Sequence, residues 1–364
     1  MNDMTGAAGA ALLEIDLGAI ADNWRVLAAS HAGDTAAVVK ADAYGLGAAK
    51  VVPVLYAAGC RHFFVAQLPE ALALRRLIPG AVLAVLNGLA VDEAGAFAAH
   101  GITPILSALP EIAGWRAELK RRGQSLAAML HVDTGMARLG LSAHDLAVLR
   151  AEGDRLDGVA ISHVMTHLVS ADTPSDPVNA RQAADFAAVC AQFPGVGTSF
   201  ANSSGMFLGP GFASSLARPG AALYGVNPTP GAANPMRGVV RLTAPILQIR
   251  ELSPGESVGY NGIWTAKRPS RIAVLGVGYA DGWHRSLSNK AKAFFDDTEI
   301  PLVGRVSMDL TTFDVTGTKA QPGDRLELLG PHHSADALAI EAGTNGYEIL
   351  TALGRRYQRR YSGA

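Results

Sequence analysis

Residues 37 to 47, AVVKADAYGLG, set a single lysine where a short apolar run gives way to polar, glycine-rich chain. The run Ala37-Val38-Val39 has about the length of a buried parallel strand. Gly45 and Gly47 then allow a turn into a following helix. Lys40 therefore falls at the C-terminal end of a strand, the end where barrel enzymes carry their reactive groups. An amine held there can form a Schiff base with an aldehyde cofactor. The same spacing also describes an ordinary strand-end lysine with its amine in water, and this stretch alone does not separate the two.

Other apolar runs also end in polar residues. Arg138 follows LAAMLHV (126–132), His167 ends GVAISHVMTH (158–167), Asn202 and Ser203 end TSFANS (198–203), and Arg218 lies in LARPG (216–220). A guanidinium is a planar, bidentate fork for a carboxylate. Ser203, with backbone N–H groups at Gly220 and Ala221, can hold a phosphate, and Tyr44 can donate one further hydrogen bond to it. His167 can lie flat against a cofactor ring. Each residue also has a purely structural reading: a polar turn at ANSSG, a satisfied core histidine at His167, a surface arginine at Arg218. Their joint occurrence at strand ends is what points to a pocket.

These residues need a scaffold that brings distant strand ends together. HFFVAQ (62–67), AVLAVLN (81–87) and TPILS (103–107) complete eight apolar strand candidates, with helical stretches between most of them. Strands alternating with helices imply parallel pairing, and eight such units predict a (β/α)₈ barrel whose strand ends open onto one face. A doubly wound open sheet is the competitor, but no G-x-G-x-x-G follows an early strand. Ahead of the Lys40 strand, Leu17, Ile20, Trp24 and Leu27 fall near helical spacing, with Asp16 as N-cap.

From about Val239 the alternation stops. RLTAPILQIREL, ESVGY, SRIAVLGVGYADG, IPLVGRVSMDLTTFDV and DRLELLG are rich in β-branched residues and bounded by Pro and Gly, which predicts antiparallel strands. Two short helices are expected near Ala335–Ala342 and Tyr347–Leu353, and the basic tail RRYQRR reads as a solvated end. The expected organisation is a segment 1–13 packing with the β domain, a barrel over 14–237, and a mainly antiparallel β domain over 238–364.

Composition bounds the function. The 364 residues are 49% hydrophobic and 17% charged, enough apolar residue for a large core. A net charge of −1 offers no electrostatic case for nucleic acid or an anionic membrane. Two cysteines, Cys60 and Cys190, make neither a disulfide framework nor a metal cluster. They fit a reducing compartment. The start of the chain carries Asp3, Glu14 and Asp16 and has no signal or transit pattern, and no stretch approaches the roughly 20 apolar residues of a membrane span. A cytoplasmic protein is expected.

VVKADAYGLG closely resembles the pyridoxal-phosphate (PLP) lysine segment of alanine racemases. HVDTGMARLG resembles that family's segment for an arginine, here Arg138, that contacts the substrate carboxylate and the cofactor. ARPGAALYG resembles the segment that sets an arginine, here Arg218, against the pyridine nitrogen. Facing that nitrogen, a guanidinium accepts no hydrogen bond, so the ring stays unprotonated and draws electrons weakly, which suits removal and return of one proton. In the last third, VGYNGIWTA supplies Tyr260 at the position of the family's tyrosine base. GYADGWHR supplies Tyr279 and Arg285, similar to residues at the substrate entrance. GRVSMDLTTFDV supplies Met308 and Asp309, similar to a loop bordering the substrate. Two positions depart from the family. Many relatives carry a lysine, often carbamylated, seven residues before the arginine, where this chain has His131; a neutral imidazole there would orient Arg138 by a hydrogen bond. A tyrosine near the C-terminus of relatives aligns loosely with Arg355.

The resemblance implies a PLP-dependent alanine racemase: a homodimer with two shared sites, Lys40 serving D-alanine and Tyr260 L-alanine on opposite faces, and an amino acid as the small-molecule substrate. It implies cofactor contacts from Lys40, Tyr44, His167, Asn202, Ser203, Arg218, Gly220 and Ala221, and substrate contacts from Arg138, Tyr279, Met308 and Asp309, with no metal. The product D-alanine would serve peptidoglycan or alanine catabolism. Two other readings use the same fold: a PLP-dependent decarboxylase, disfavoured by Arg218, and a non-catalytic PLP-binding regulator, which lacks a second domain. Preference for serine over alanine stays open, because one side-chain contact shifts it by only about 1–3 kcal/mol.

Overall fold

The eight apolar runs become short parallel strands. In the computed structural model, which describes residues 10–90 and 92–363, seven of them lie side by side in sequence order: Ala37–Val38, His62–Val65, Val82–Val85, Thr103–Leu106, Leu126–His131, Val159–Met165 and Gly197–Ser199. The eighth, Leu216–Ala217, pairs in parallel with Asp34–Thr35, the same run that continues into Ala37–Val38. The ladder extends through Ala36 N–H to Ala217 O (2.9 Å) and Val38 N–H to Pro219 O (3.0 Å). On its other side, Arg218 N–H donates to Ala201 O at 2.8 Å, just past the seventh strand. The sheet thus curls round on itself as a parallel barrel.

Alternation along each strand sends every second side chain inward. Val38, Phe64, Ala84, Ile105, Met129, Met165 and Leu216 form one buried cluster, with Tyr44 and Leu86 packed against it. Small and large residues are mixed in this layer, which fills the interior of a barrel rather than leaving a pore. Cys60 is buried and its Sγ donates to His62 O at 3.2 Å, while Cys190 is half-buried; neither is in a disulfide.

The chain divides into two compact units. One is residues 20–237; the other is residues 238–364 together with the N-terminal stretch through Ala19. The expected barrel start at residue 14 therefore shifts. Leu12–Asp16 is a strand of the second unit, antiparallel to Val240–Leu252 and parallel to Gln358–Ser362. Residues 1–9 of the expected segment 1–13 lie outside the described residues. The tail is solvent-exposed as expected but is not irregular: residues 358–362 form an edge strand whose side chains alternate between exposed and half-buried, and Arg360 pairs with Glu14 across it. Leu12–Asp16 acquires strand structure by pairing with Val240–Leu252 on one side and Gln358–Ser362 on the other, partners more than 200 residues away, so neither terminal strand shows a local signal strong enough to read.

The remaining strands of this unit are antiparallel: Ser270–Leu275, Thr311–Asp314 and Arg325–Leu329 flank or follow Val240–Leu252. Lys292–Phe295 and Thr298–Pro301 add a hairpin that the sequence pattern does not single out. Two helices, Ala335–Ala342 and Gly346–Ala352, follow.

Asp16 caps the first helix, Leu17–Ser30, by accepting the Ala19 N–H at 2.9 Å. Further along that helix, Asn23 is 1% exposed and ties both ends of the barrel unit together. Its Nδ2 donates to Leu223 O (3.1 Å) and Arg237 O (2.9 Å), and its Oδ1 accepts from Arg237 N–H (2.8 Å). Removing the amide strands buried backbone groups, each costly to leave unpaired. Asn23→Ala should lower unfolding free energy by about 3 kcal/mol in urea titration; a loss under about 1 kcal/mol would show that water replaces the amide.

Candidate active site

Lys40 opens an unusual turn. Four consecutive non-glycine residues, Ala41, Asp42, Ala43 and Tyr44, hold positive φ between 53° and 55°. Left-handed helical backbone costs roughly 1–2 kcal/mol per L-residue, so the turn must be held from outside. Gly45 N–H donates to Ala41 O (2.8 Å) and Gly47 N–H to Asp42 O (2.8 Å). Asp42 Oδ1 accepts from Ala48 N–H (2.7 Å), fastening the turn to the next helix. The turn thus begins on residues that do not favour it, and the glycines only close it.

The turn delivers Tyr44 to the phosphate-like cradle. A Cβ on Gly220 would lie 2.3 Å from the Tyr44 hydroxyl oxygen, so only glycine permits this approach. The Tyr44 ring lies 4.7 Å from that of Tyr224, whose hydroxyl donates to Val38 O at 3.0 Å. Ser203 Oγ accepts from Gly220 N–H (3.0 Å) and Ala222 N–H (3.2 Å). Asn202 Oδ1 accepts from Gly205 N–H at 2.8 Å and holds the same bend. Ala221 begins the single turn that follows Gly220.

Arg218 is 4% exposed. Its guanidinium donates to the Ser199 hydroxyl and to Thr166 O (2.6 Å), and among the described residues no carboxylate pairs with it. Burial lowers its pKa to about 10. Arg138 ends a loop that Asp133 shapes: the Asp133 carboxylate accepts from the N–H groups of Gly135 (2.9 Å), Met136 (2.9 Å) and Ala137 (3.0 Å). Arg138 itself is exposed and makes no hydrogen bond to the described residues. The expected bond from His131 is not formed. His131 is buried within its strand and turns Nδ1 to Ser107 Oγ at 3.3 Å, while Arg138 stands at the end of the exposed loop.

Positive charge predominates at the mouth. Burial, then the Arg138 charge, lowers the Lys40 pKa, and Glu70 opposes the shift. Burial, then Arg218 and the other cations, pushes His167 down to about 3. Burial, then Arg218, pushes His131 down to about 4. Both imidazoles are therefore neutral near pH 7. Arg218, Arg138, Lys40 and His131, from different strand ends, all act on His167, as the barrel requires.

Several supporting residues carried no local signal. Gln182, fully buried on helix Pro177–Cys190, donates to His167 O (2.9 Å) and Thr134 Oγ1 (3.0 Å) and accepts from Val169 N–H (2.9 Å). Ser199, Thr166 and Ser107 hold Arg218 and His131. A polar residue inside a strand or helix reads as structural until its partner is known.

The β-domain residues gather around residues 304–310. Tyr279 N–H donates to Ser307 O (3.0 Å) and Ala280 N–H to Met308 O (3.0 Å). Ser288 Oγ accepts from Val306 N–H (3.0 Å) and donates to Arg285 O (2.7 Å). The turn Tyr260–Gly262 packs here too, since a Cβ on Gly259 would lie 3.5 Å from Arg305 N. Arg356 donates to both oxygens of Asp281 (2.6 and 2.8 Å) and to Asp309 (2.7 Å). Its neighbour Arg355, at the position of the expected entrance tyrosine, is exposed. Tyr260 (68%), Met308 (54%) and Tyr279 (43%) are exposed as well.

A parallel barrel with a lysine at the mouth of its first strand, followed by an antiparallel β domain, defines a class of two-domain barrel enzymes. Residues 15–228 match the family described as alanine racemase, N-terminal domain, and residues 239–361 the alanine racemase, C-terminal domain. The chain is 58% identical over 350 residues to an alanine racemase of Acidiphilium cryptum, covering 95% of this chain and 97% of that one. It is 47% identical to a catabolic alanine racemase of Agrobacterium fabrum, covering 96% and 91%. The crystal structure of alanine racemase from Bartonella henselae with covalently bound pyridoxal phosphate superposes with a TM-score of 0.94 at 41% identity, covering 97% of this chain and 99% of that one. The chain belongs to the alanine racemase family, and it is an isomerase.

The depressed histidines make stability depend on pH. From pH 6.5, the ordinary histidine value, downward, the unfolded chain binds protons at these positions while the folded chain refuses them until about 4 for His131 and about 3 for His167. Unfolding free energy of the apoprotein should therefore fall with pH in that window, by about 1.4 kcal/mol per pH unit for each histidine. Urea unfolding at pH 7, 6 and 5 checks this against His131→Asn, which should show a shallower slope. Equal slopes would mean His131 protonates freely in the folded protein.

Proposed function

We propose that the protein interconverts L-alanine and D-alanine with PLP as cofactor, supplying D-alanine for peptidoglycan or for alanine catabolism. The observation that carries this reading is the cluster of cations around Lys40, with buried Arg218 pinned in place and, among the described residues, no acid paired with it.

The residues present fit PLP. Ser203, Tyr44 and the backbone N–H groups at Gly220 and Ala221 would hold its phosphate, Asn202 would support that bend, and Arg218 would face its ring nitrogen. His167, neutral, would lie against the ring. When bound, PLP supplies a place for the electron pair left at Cα. A guanidinium keeps that sink weak because it cannot accept the nitrogen's hydrogen bond, which favours returning the proton over any further reaction.

The protein's own part is to bind one carboxylate and to move one proton. Arg138, exposed and without a hydrogen bond among the described residues, offers its fork to the substrate carboxylate. Lys40, with a lowered pKa, takes or returns the Cα proton on the face that D-alanine presents. Tyr260 acts on the opposite face for L-alanine, and two bases are what inversion requires. Tyr279, Met308 and Asp309 border the substrate. The aromatic and apolar side chains that the β domain leaves in water support a homodimer in which Tyr260 serves the partner's Lys40.

Mixing two inactive variants tests this reading. Lys40→Ala and Tyr260→Phe should each be inactive in racemisation followed by chiral chromatography. A two-fold dimer has two equivalent shared sites, so a mixed dimer would collect both defects in one site and neither in the other. With random pairing, about half of the dimers are mixed and roughly a quarter of all sites are intact. Activity should rise from near zero to about a quarter of wild type, with an unchanged KM. No recovery in a well-folded mixed dimer would overturn the shared site, and a wild-type protein that does not racemise alanine would overturn the function.

A further inference from the structure

Glu70 has a task that capping alone does not explain. It is the third residue of helix Leu68–Leu74, and its Oε2 accepts the N–H groups of Ala66 (2.8 Å) and Gln67 (3.0 Å), as a capping carboxylate does. Its Oε1 instead reaches 29 residues back to accept the Ala41 N–H at 2.6 Å. Ala41 follows Lys40 directly and is the first of the four left-handed residues. One carboxylate therefore joins the end of the second barrel strand to the backbone that aims the lysine of the first.

We propose that Glu70 is a positioning residue for Lys40, holding the strained turn so that the amine projects into the mouth. This rests on the reading of Lys40 as the base that serves D-alanine.

The chain contains its own control. Leu109-Pro110-Glu111 repeats Leu68-Pro69-Glu70 at the start of helix Leu109–Arg122. Glu111 Oε2 accepts the Ser107 N–H at 2.6 Å, and its Oε1 lies where a Cβ on Gly88 would come within 2.5 Å, beside the loop after the third strand. This is the same staple between successive strand ends, without a reactive lysine on the stapled loop. A charge-assisted bond to backbone N–H is about twice as strong as a neutral one. At Glu70 that strength is spent on a turn whose conformation is unfavourable. The charged and titratable groups acting on Lys40 or acted on by it are Arg138, from the loop after the fifth strand, His167, from the end of the sixth, and Glu70. Among these Glu70 alone is acidic.

The test compares Glu70→Gln with Glu111→Gln. Glutamine keeps the size but has one acceptor oxygen, so it cannot serve Ala41 and the cap together. In the holoenzyme, Glu70→Gln should lower kcat roughly tenfold to a hundredfold with KM nearly unchanged, as expected when a reacting group is misaimed. The Cα-deuterium isotope effect should rise with D-alanine, whose proton Lys40 removes, and not with L-alanine. Independently of activity, hydrogen exchange measured by mass spectrometry should speed up over residues 41–45. Glu111→Gln should show none of these three changes, whatever it does to thermal stability. Glu70→Asp, which keeps the charge but is one methylene shorter, provides a second variant and should also speed exchange over residues 41–45. Unchanged exchange there in both Glu70 variants would overturn the proposal, as would an equal kcat loss in Glu111→Gln. The exchange measurement needs no racemase activity. If the wild-type protein failed to racemise alanine while Glu70→Gln still loosened residues 41–45, the functional reading would fall and the tie to the Lys40 turn would stand.

Discussion

Buried positive charge without a matching acid is the constraint on which the site depends. Arg218 is enclosed among strand ends and held by a serine hydroxyl and a backbone carbonyl. Those partners take one bond from each terminal nitrogen but do not neutralise it. Arg138 and Lys40 add to the same field. Burying charge this way is costly unless something anionic completes it. An anionic cofactor and an anionic substrate are the natural complements. Burial first, and then the same field, keep His167 and His131 neutral and lower the Lys40 pKa. One electrostatic choice thus sets both what binds and which groups can accept a proton.

The barrel makes that choice possible by fixing directions. Short strands end at a common face, and the residues just beyond them are aimed by a few bonds: Gln182 behind His167, Asp133 under the Arg138 loop, Ser203 against Gly220. The Lys40 turn is the most constrained of these, because Ala41 through Tyr44 occupy a conformation that L-residues avoid. Strain of this kind persists only where surrounding bonds over-determine it. In the β domain, the loops bearing Tyr279 and Met308 are joined through backbone bonds and through Arg356, which grips Asp281 and Asp309 together.

The fold was largely legible because its signals are local. Eight apolar runs with polar ends needed no partner information to be recognised, and all eight are strands. Asp16 could be read as a cap because capping is decided within one turn. What escaped notice depends on distant partners. Leu12–Asp16 is a strand because it pairs with Val240–Leu252 and Gln358–Ser362, both more than 200 residues away. The bond expected from His131 to Arg138 follows only from the family position of a lysine, and here the strand turns His131 toward Ser107 instead. Glu70 carries no signal in the sequence that singles it out: it caps its own helix, and the bond to Ala41 N–H appears only once two strands are adjacent.

The claim that ligand anions complete a buried cationic mouth has a direct measurement. Urea unfolding of the apoprotein is followed with added inorganic phosphate and, separately, with added PLP, with sodium chloride holding ionic strength constant. A ligand that binds only the folded state raises its stability with concentration. The account predicts that the midpoint rises with phosphate and rises further with PLP. A midpoint indifferent to both would contradict it, since the mouth would then be stable without the anions it is built to receive.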